Sequence, residues 1–384
     1  MNRAVNRSHI GRQVSRRLVL AVAALALVGC ASGPDRPKPA ELGPNPALIG
    51  VRLAWTAPMG EVRFPLQLPV IGSRVAVADD AGVVRMLDAV SGRILWQANV
   101  GESIAAGVGS DGDTAAVVTR GNTLVTLRDG QVVWRQPLSA QVFTAPLVAG
   151  ARVFVAAADR TVTAFDGATG RRLWARPRAG TEPLVLRQAG ALLAVGNTLV
   201  VGVAGRLEGL DPLTGSVRWE APLATPRGTN DVERLVDIVA GVGREGTTVC
   251  ARAFQANVGC VDAARGNLLW AQRASGYQGL AGDASSVYGV ESDGTLRAWD
   301  LRTGAERWSQ DKLRYRQTTA PAVVGRSVAV GDGTGFVHLL SREDGGLLDR
   351  LSTDGSAVAA TPVLAADTLV VVTQKGGVYG FRPQ

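Results

Sequence analysis

One frame, Asp-x-x-x-Gly-x-x-x-Trp, recurs along this chain and limits its fold more than any other feature. It occurs at Asp88, Gly92, Trp96; at Asp166, Gly170, Trp174; at Asp211, Gly215, Trp219; at Asp262, Gly266, Trp270; and at Asp300, Gly304, Trp308. Between the frames lie short alternating, β-branched runs cut by turn residues, a pattern of strands and not of helices. Thr144 to Trp174 shows one full unit. Ala145 to Val148, Arg152 to Ala156 and Thr161 to Phe165 read as three strands. A fourth begins after Asp166-Gly-Ala-Thr-Gly170 and reaches Trp174. The Asp of such a turn can accept bonds from the backbone ahead of it, and the Gly can take a positive φ.

Two copies are altered. Asp129-Gly130 before Trp134 is shortened and suits a type I′ hairpin. Ser341, Gly345, Asp349 keeps the phase but has Asp where Trp belongs. The spacing of about 40 residues matches four-stranded propeller blades. Near the C-terminus three strands appear, Ala360 to Leu364, Thr368 to Thr373 and Gly377 to Phe381. Gly50 to Trp55 is a fourth strand with no repeat before it. Joining them predicts an all-β, eight-bladed propeller of four-stranded antiparallel blades, the last closed by the N-terminal strand. Closure of this kind leaves no free sheet edge. Trp55, Trp96, Trp134, Trp174, Trp219, Trp270 and Trp308 are then the outer-strand Trp of seven blades, each expected to pack against the next. Because blades bury their faces only against neighbours, residues 49–384 are expected to form one domain.

Residues 1–29 read as a secretory signal. The apolar run Leu18 to Val28 follows Arg16-Arg17 and is too short to span a bilayer. It ends in Leu27-Val-Gly-Cys30, which resembles a bacterial lipobox with Cys30 as the acylated residue. Residues 30–48 are Pro-rich and read as an extended tether. Ala31 rather than Asp after Cys30 points to the outer membrane, with the domain on its periplasmic face. The formal charge of +8 misleads as a guide to partners. Arg3, Arg7, Arg12, Arg16 and Arg17 belong to the signal, and the remaining basic residues are nearly balanced by acids. The charge gives no basic stripe for nucleic acid.

Groups for catalysis are scarce. The chain has two His, and His9 lies in the signal. His338 stands alone in a strand and reads as structural. No His pair exists for zinc, so no metal is expected. Gly331-Asp-Gly-Thr-Gly335 lacks the Lys and helix of a phosphate loop. Trp299-Asp300 looks like a WD dipeptide, but Leu87, Phe165, Leu210 and Val261 fill the same slot, so Trp299 is its large apolar residue. Cys250 and Cys260 occupy slots held by Phe154 and Ala164 in blade three and by Tyr288 and Ala298 in blade six. They are expected to face each other across a hairpin. A disulfide and a buried pair of thiols both remain open.

The repeat resembles the PQQ-like propeller repeat of bacterial quinoproteins. Three stretches narrow this to the BamB family, propeller lipoproteins of the β-barrel assembly machinery. They are Pro183-Leu-Val-Leu-Arg187, Glu233-Arg-Leu-Val-Asp237, and Val330 to His338 with Glu343-Asp-Gly345. The resemblance implies a scaffold without cofactor that meets the polypeptide-transport domains of BamA and extends to unfolded outer-membrane proteins. Its partner surface would include Leu184, Leu186, Arg187, Arg234, Leu235 and Asp237. The family has a second Asp where this chain has Val239. Independently of the resemblance, both loop stretches are insertions that break the blade spacing, and insertions on one rim are where propellers bind.

Two other functions compete. A quinone-dependent dehydrogenase shares the repeat but needs calcium ligands near the channel and usually a vicinal Cys pair, which Cys250 and Cys260 are not. A generic peptidoglycan- or polysaccharide-binding propeller would show aromatic rows, and aromatics are only 5% of the chain.

Overall fold

The computed structural model describes residues 37–177, 186–225 and 235–384. Cys30, Leu184 and Arg234 lie outside the described residues. Among those described, the strands form eight four-stranded antiparallel sheets, each a blade. Blade three is representative: Leu147–Ala149, Arg152–Ala156, Val162–Asp166 and Arg172–Arg176. Its register pairs Phe154 with Ala164 and Ala164 with Trp174, so large and small side chains alternate across one face. Except in blade two, where it runs Ile104–Ser110, the innermost strand is short, and the middle two are mostly buried, as the β-branched content requires. All eight blades contribute to the wall of a channel of about 950 Å³.

The Asp turns form as their chemistry demands. Asp166 Oδ1 accepts from the N–H groups of Ala168 and Thr169 at 3.1 and 2.8 Å, and Gly170 sits at φ 72°. These bonds hold several turn carboxylates below their usual range. The Ser91 N–H does so for Asp88, the Thr169 hydroxyl for Asp166, and the Arg218 and Arg307 guanidinium groups for Asp211 and Asp300. At the shortened copy Asp129 and Gly130 both have positive φ, 50° and 75°, the type I′ geometry.

The frame acquires its meaning between blades. The indole N–H of Trp134 donates to the carbonyl of Gly167 in the next blade's turn at 3.0 Å. Trp55, Trp174, Trp219, Trp270 and Trp308 donate in the same way to Ala89, Pro212, Ala263, Leu301 and Arg342, at 2.8–3.1 Å. The ring lies directly on the turn glycine. A Cβ at Gly170 would come within 2.6 Å of the Trp134 ring. Gly is therefore required here by space as well as by φ. Trp96 faces the shortened turn, and a Cβ on Gly130 would meet the Trp96 Cβ rather than its ring.

The eighth blade is built from both ends of the chain. Val51–Pro58 pairs with Gly377–Pro383, beside Thr368–Val372 and Val363–Ala365. This explains Asp349. In blade eight the third and fourth strands are not consecutive in sequence, so no turn exists there to receive a Trp from blade seven. Asp349 instead accepts from Asn45 Nδ2 at 2.8 Å. Residues 40–48, expected as part of an extended tether, are instead docked on the propeller. From Ala40 onward the chain is bonded to blades six and seven, at Arg314, Arg350 and Leu348.

Trp270→Ala should lower unfolding free energy by about 3–5 kcal/mol, the usual cost of emptying a buried aromatic site, because the indole is 8% exposed and bonded. Asp349→Trp should give no gain, because its seam has no turn to cover. Denaturant melts of both variants check this pair, and a stabilised Asp349→Trp protein would contradict it.

Candidate partner-binding surface

Each blade has two ends. Turns between its first and second strands, and the Asp turns, lie at one end of the propeller. Turns between second and third strands, and the connections between blades, lie at the other, here called the loop face. The two insertions singled out by sequence are the connections from blade three to four and from four to five. Both therefore belong to the loop face.

The described parts of these insertions are tied to each other. Asp237 Oδ2 accepts from the Leu186 N–H at 2.9 Å, and its Oδ1 meets Arg160 Nη2 at 3.2 Å. Arg160 comes from the turn between the second and third strands of blade three. The Arg160 and Asp237 side chains are only 8% and 17% exposed. Such a pair is strengthened by its surroundings and costly to break from one side. Gly190 forms an antiparallel bridge with Val239, and Ile238 one with Ala253, so the second loop is stitched between the first and blade five. The Gly190 N–H also donates to Thr144 Oγ1 at 2.9 Å.

The predicted residues divide by environment. Leu186 and Leu235 are half-buried, Arg187 is exposed, and its guanidinium lies 5.8 Å from the Phe143 ring centre. Gln188 reaches across to the Tyr277 carbonyl at 2.6 Å. Asp237, which the resemblance placed in the partner surface, has both oxygens bonded within the chain. Val239 is buried, at 1% exposure. Beneath the clamp a cavity of about 70 Å³ is lined by Phe143, Arg160, Leu186 and Asp237 among others. Sequence reasoning did not find Arg160 or Thr144. Both sit at ordinary turn or strand-entry positions and carry no motif.

Other polar groups are structural. His338 is fully buried, and burial pushes its imidazole down, opposed by its 3.0 Å contact with Asp332. Burial opposes ionisation of Asp332. His338, the Phe336 and Thr334 N–H groups and Arg316 outweigh it and hold the carboxyl well below the usual range. Among the described residues no group of three or more His, Cys, Asp or Glu could hold a metal ion. Cys250 and Cys260 are register partners and are joined as a disulfide. Trp299 is buried beside them.

With this geometry established, known proteins can be compared. A family model described as outer membrane protein assembly factor BamB matches residues 80–310. The chain belongs to the BamB family. The outer membrane protein assembly factor BamB of Burkholderia pseudomallei is 39% identical over 370 residues, covering 95% of this chain and 97% of that one. BamB of Bordetella pertussis is 36% identical, covering 96% and 97%. The crystal structure of BamB from Moraxella catarrhalis superposes with a TM-score of 0.79 at 24% identity, covering 86% of this chain and 99% of that one. A quinohemoprotein alcohol dehydrogenase from Comamonas testosteroni superposes with a TM-score of 0.66 at 14% identity, covering 88% and 77%. At that identity the likeness shows the shared propeller alone. BamB membership makes the chain an outer membrane protein assembly factor, as its relatives are named.

Asp237→Ala should release the Leu186 amide. Losing a charge-assisted bond costs about 1–3 kcal/mol, so exchange at Leu186 should accelerate roughly ten- to hundredfold, and the melt should shift downward as well because the largely buried Arg160 loses this carboxylate. Unaltered exchange at Leu186 would show that the clamp does not hold the loop.

Proposed function

We propose that this protein is a non-catalytic scaffold of the outer-membrane β-barrel assembly machinery. It is held at the periplasmic face of the outer membrane by acylated Cys30, and binds BamA through its loop face. The observation that carries the reading is the Asp237 clamp. It fixes two insertions outside the repeat so that half-buried Leu186 and exposed Arg187 stand side by side. An apolar anchor beside a guanidinium is the kind of pair that dominates protein interfaces, with the charge setting register and on-rate. Leu184, Arg234 and Leu235 complete the proposed surface, and unfolded outer-membrane proteins are proposed as further clients. Asp237 acts here as the residue that positions Leu186. The absence of catalysis is supported by the environment of His338, the one His outside the signal. It is sealed from solvent and bonded to Asp332.

Leu186→Ala combined with Arg187→Ala should weaken capture of the BamA periplasmic domains by about 2–4 kcal/mol, the range of hot-spot truncations. Circular dichroism should stay unchanged. Undiminished capture would move the interface away from these loops. Cys30→Ala should leave an uncleaved or soluble protein, and palmitate labelling of a processed Cys30→Ala species would overturn the anchor.

A further inference from the structure

The chain between Ala40 and Leu48 is Pro-rich and free of strand pattern, yet it is bonded along its length to the outside of blades six and seven. The Ala40 N–H donates to the Arg314 carbonyl at 2.9 Å, and Arg316 Nη1 returns a bond to the Ala40 carbonyl at 3.0 Å. Arg316 is itself fixed, since its Nε donates to buried Asp332 at 2.8 Å and its Nη2 to Thr334 at 2.8 Å. Leu42 packs on the cluster that contains Tyr288, Leu313 and Leu340. Arg350 Nη2 donates to the Gly43 carbonyl at 3.0 Å. Asn45 bonds Asp349, and the Leu48 N–H donates to the Leu348 carbonyl at 2.8 Å.

These contacts have a direction. Arg314 and Arg316 belong to the connection from blade six to seven, and Asp332 and Thr334 to the turn between the second and third strands of blade seven. All are on the loop face. Leu348 lies near the start of blade seven's outer strand, at the Asp-turn end. The segment therefore climbs from the loop face at Ala40 to the opposite face at Leu48, and only then does Val51–Pro58 descend again in blade eight. Ala40 is thus held at the loop face, whereas Ile49 lies at the other end.

We propose that residues 40–48 are a strap that sets the orientation of the propeller at the membrane. It places the exit of the anchoring chain on the face that carries Leu186, Arg187 and Asp237, across the ring from them, so that this face is turned toward the bilayer. The inference rests on the proposed lipid anchor. Ten residues separate Cys30 from Ala40 and cannot span more than roughly 35 Å in any conformation. Blade depth is about 15–20 Å for five-residue strands, so the choice of exit face is a large fraction of the tether's reach. The seam without a Trp is what makes room for this. Asp349, in the vacant Trp slot, is the residue that Asn45 grips.

The test uses the lipidated full chain on phosphatidylethanolamine–phosphatidylglycerol vesicles that carry a headgroup energy-transfer acceptor. A donor is attached at one introduced thiol, either Ser292→Cys on the loop face of blade six or Ala284→Cys at its other end, both exposed. Transfer should be clearly greater from position 292 than from 284. In Asn45→Ala/Arg350→Ala protein that preference should disappear or reverse, and exchange at the Ala40 and Leu48 amides should rise at least tenfold. Equal transfer from the two positions in the intact protein, or fast exchange at Ala40 and Leu48 before any substitution, would overturn the strap. Failure of the protein to bind vesicles at all would instead overturn the anchor, and the exchange measurement would still judge the docking of the segment.

Discussion

The ring depends on one contact repeated around it: the indole of an outer-strand Trp lying on the turn glycine of the following blade. Each full frame after the first thus serves two seams. Its Gly receives the Trp behind it, and its own Trp covers the Gly ahead. The apolar ring is removed from water, and its N–H, which would be costly to bury alone, finds a turn carbonyl in six seams. A blade taken alone would have an exposed indole on one side and an uncovered turn on the other. Stability is therefore a property of neighbours, as in repeat architectures generally. Closure through Val51–Pro58 then leaves no blade without a neighbour.

The Asp of the frame works locally and through charge. Its carboxylate collects turn N–H groups or an Arg from the adjoining outer strand, which favours the ionised form. A folded-state pKa below the ordinary value near 3.8 means stabilisation that is complete above that value and is lost as pH falls through the lowered one. For these exposed turns the effect is small, screened by solvent. Asp332 uses the same turn chemistry in a buried setting. There the carboxylate also orders Arg316 and His338, so that one turn fixes both the interior of blade seven and the incoming N-terminal segment.

What could be read from the sequence follows from what repeats. Strand order, blade count, the closing strand and the type I′ turn at Asp129-Gly130 were legible because each is written in local residue types and recurs in phase. The facing of Cys250 and Cys260 was legible from their slots, but their bond was not, since spacing does not distinguish a disulfide from two thiols. The clamp was not legible. Arg160 and Asp237 are 77 positions apart, and only folding brings a turn of blade three against the blade-four-to-five connection. The docking of residues 40–48 was hidden for a related reason. Proline-rich sequence signals extension and says nothing of the surface on which an extended chain lies.

The departures from the repeat are where this protein differs from any other propeller. Six of the seams with a Trp are alike, so nothing in them can specify a partner or a direction. The two insertions interrupt the blade spacing, and Asp237 ties their described ends, at Leu186 and at Asp237 itself, to Arg160 of blade three. Asp349 marks the other departure. A Trp there would have no turn to cover and would displace Asn45 from a position that is only 5% exposed. A short acid is bonded instead by Asn45, Arg350 N–H lies 2.7 Å from its carboxylate, and the chain from Ala40 is led across the seam. The same closure that forbids a Trp at this seam thus leaves the polar slot on which the N-terminal segment is held. The Arg160–Asp237 pair and the docking of residues 40–48 thus both arise where the blade pattern is interrupted.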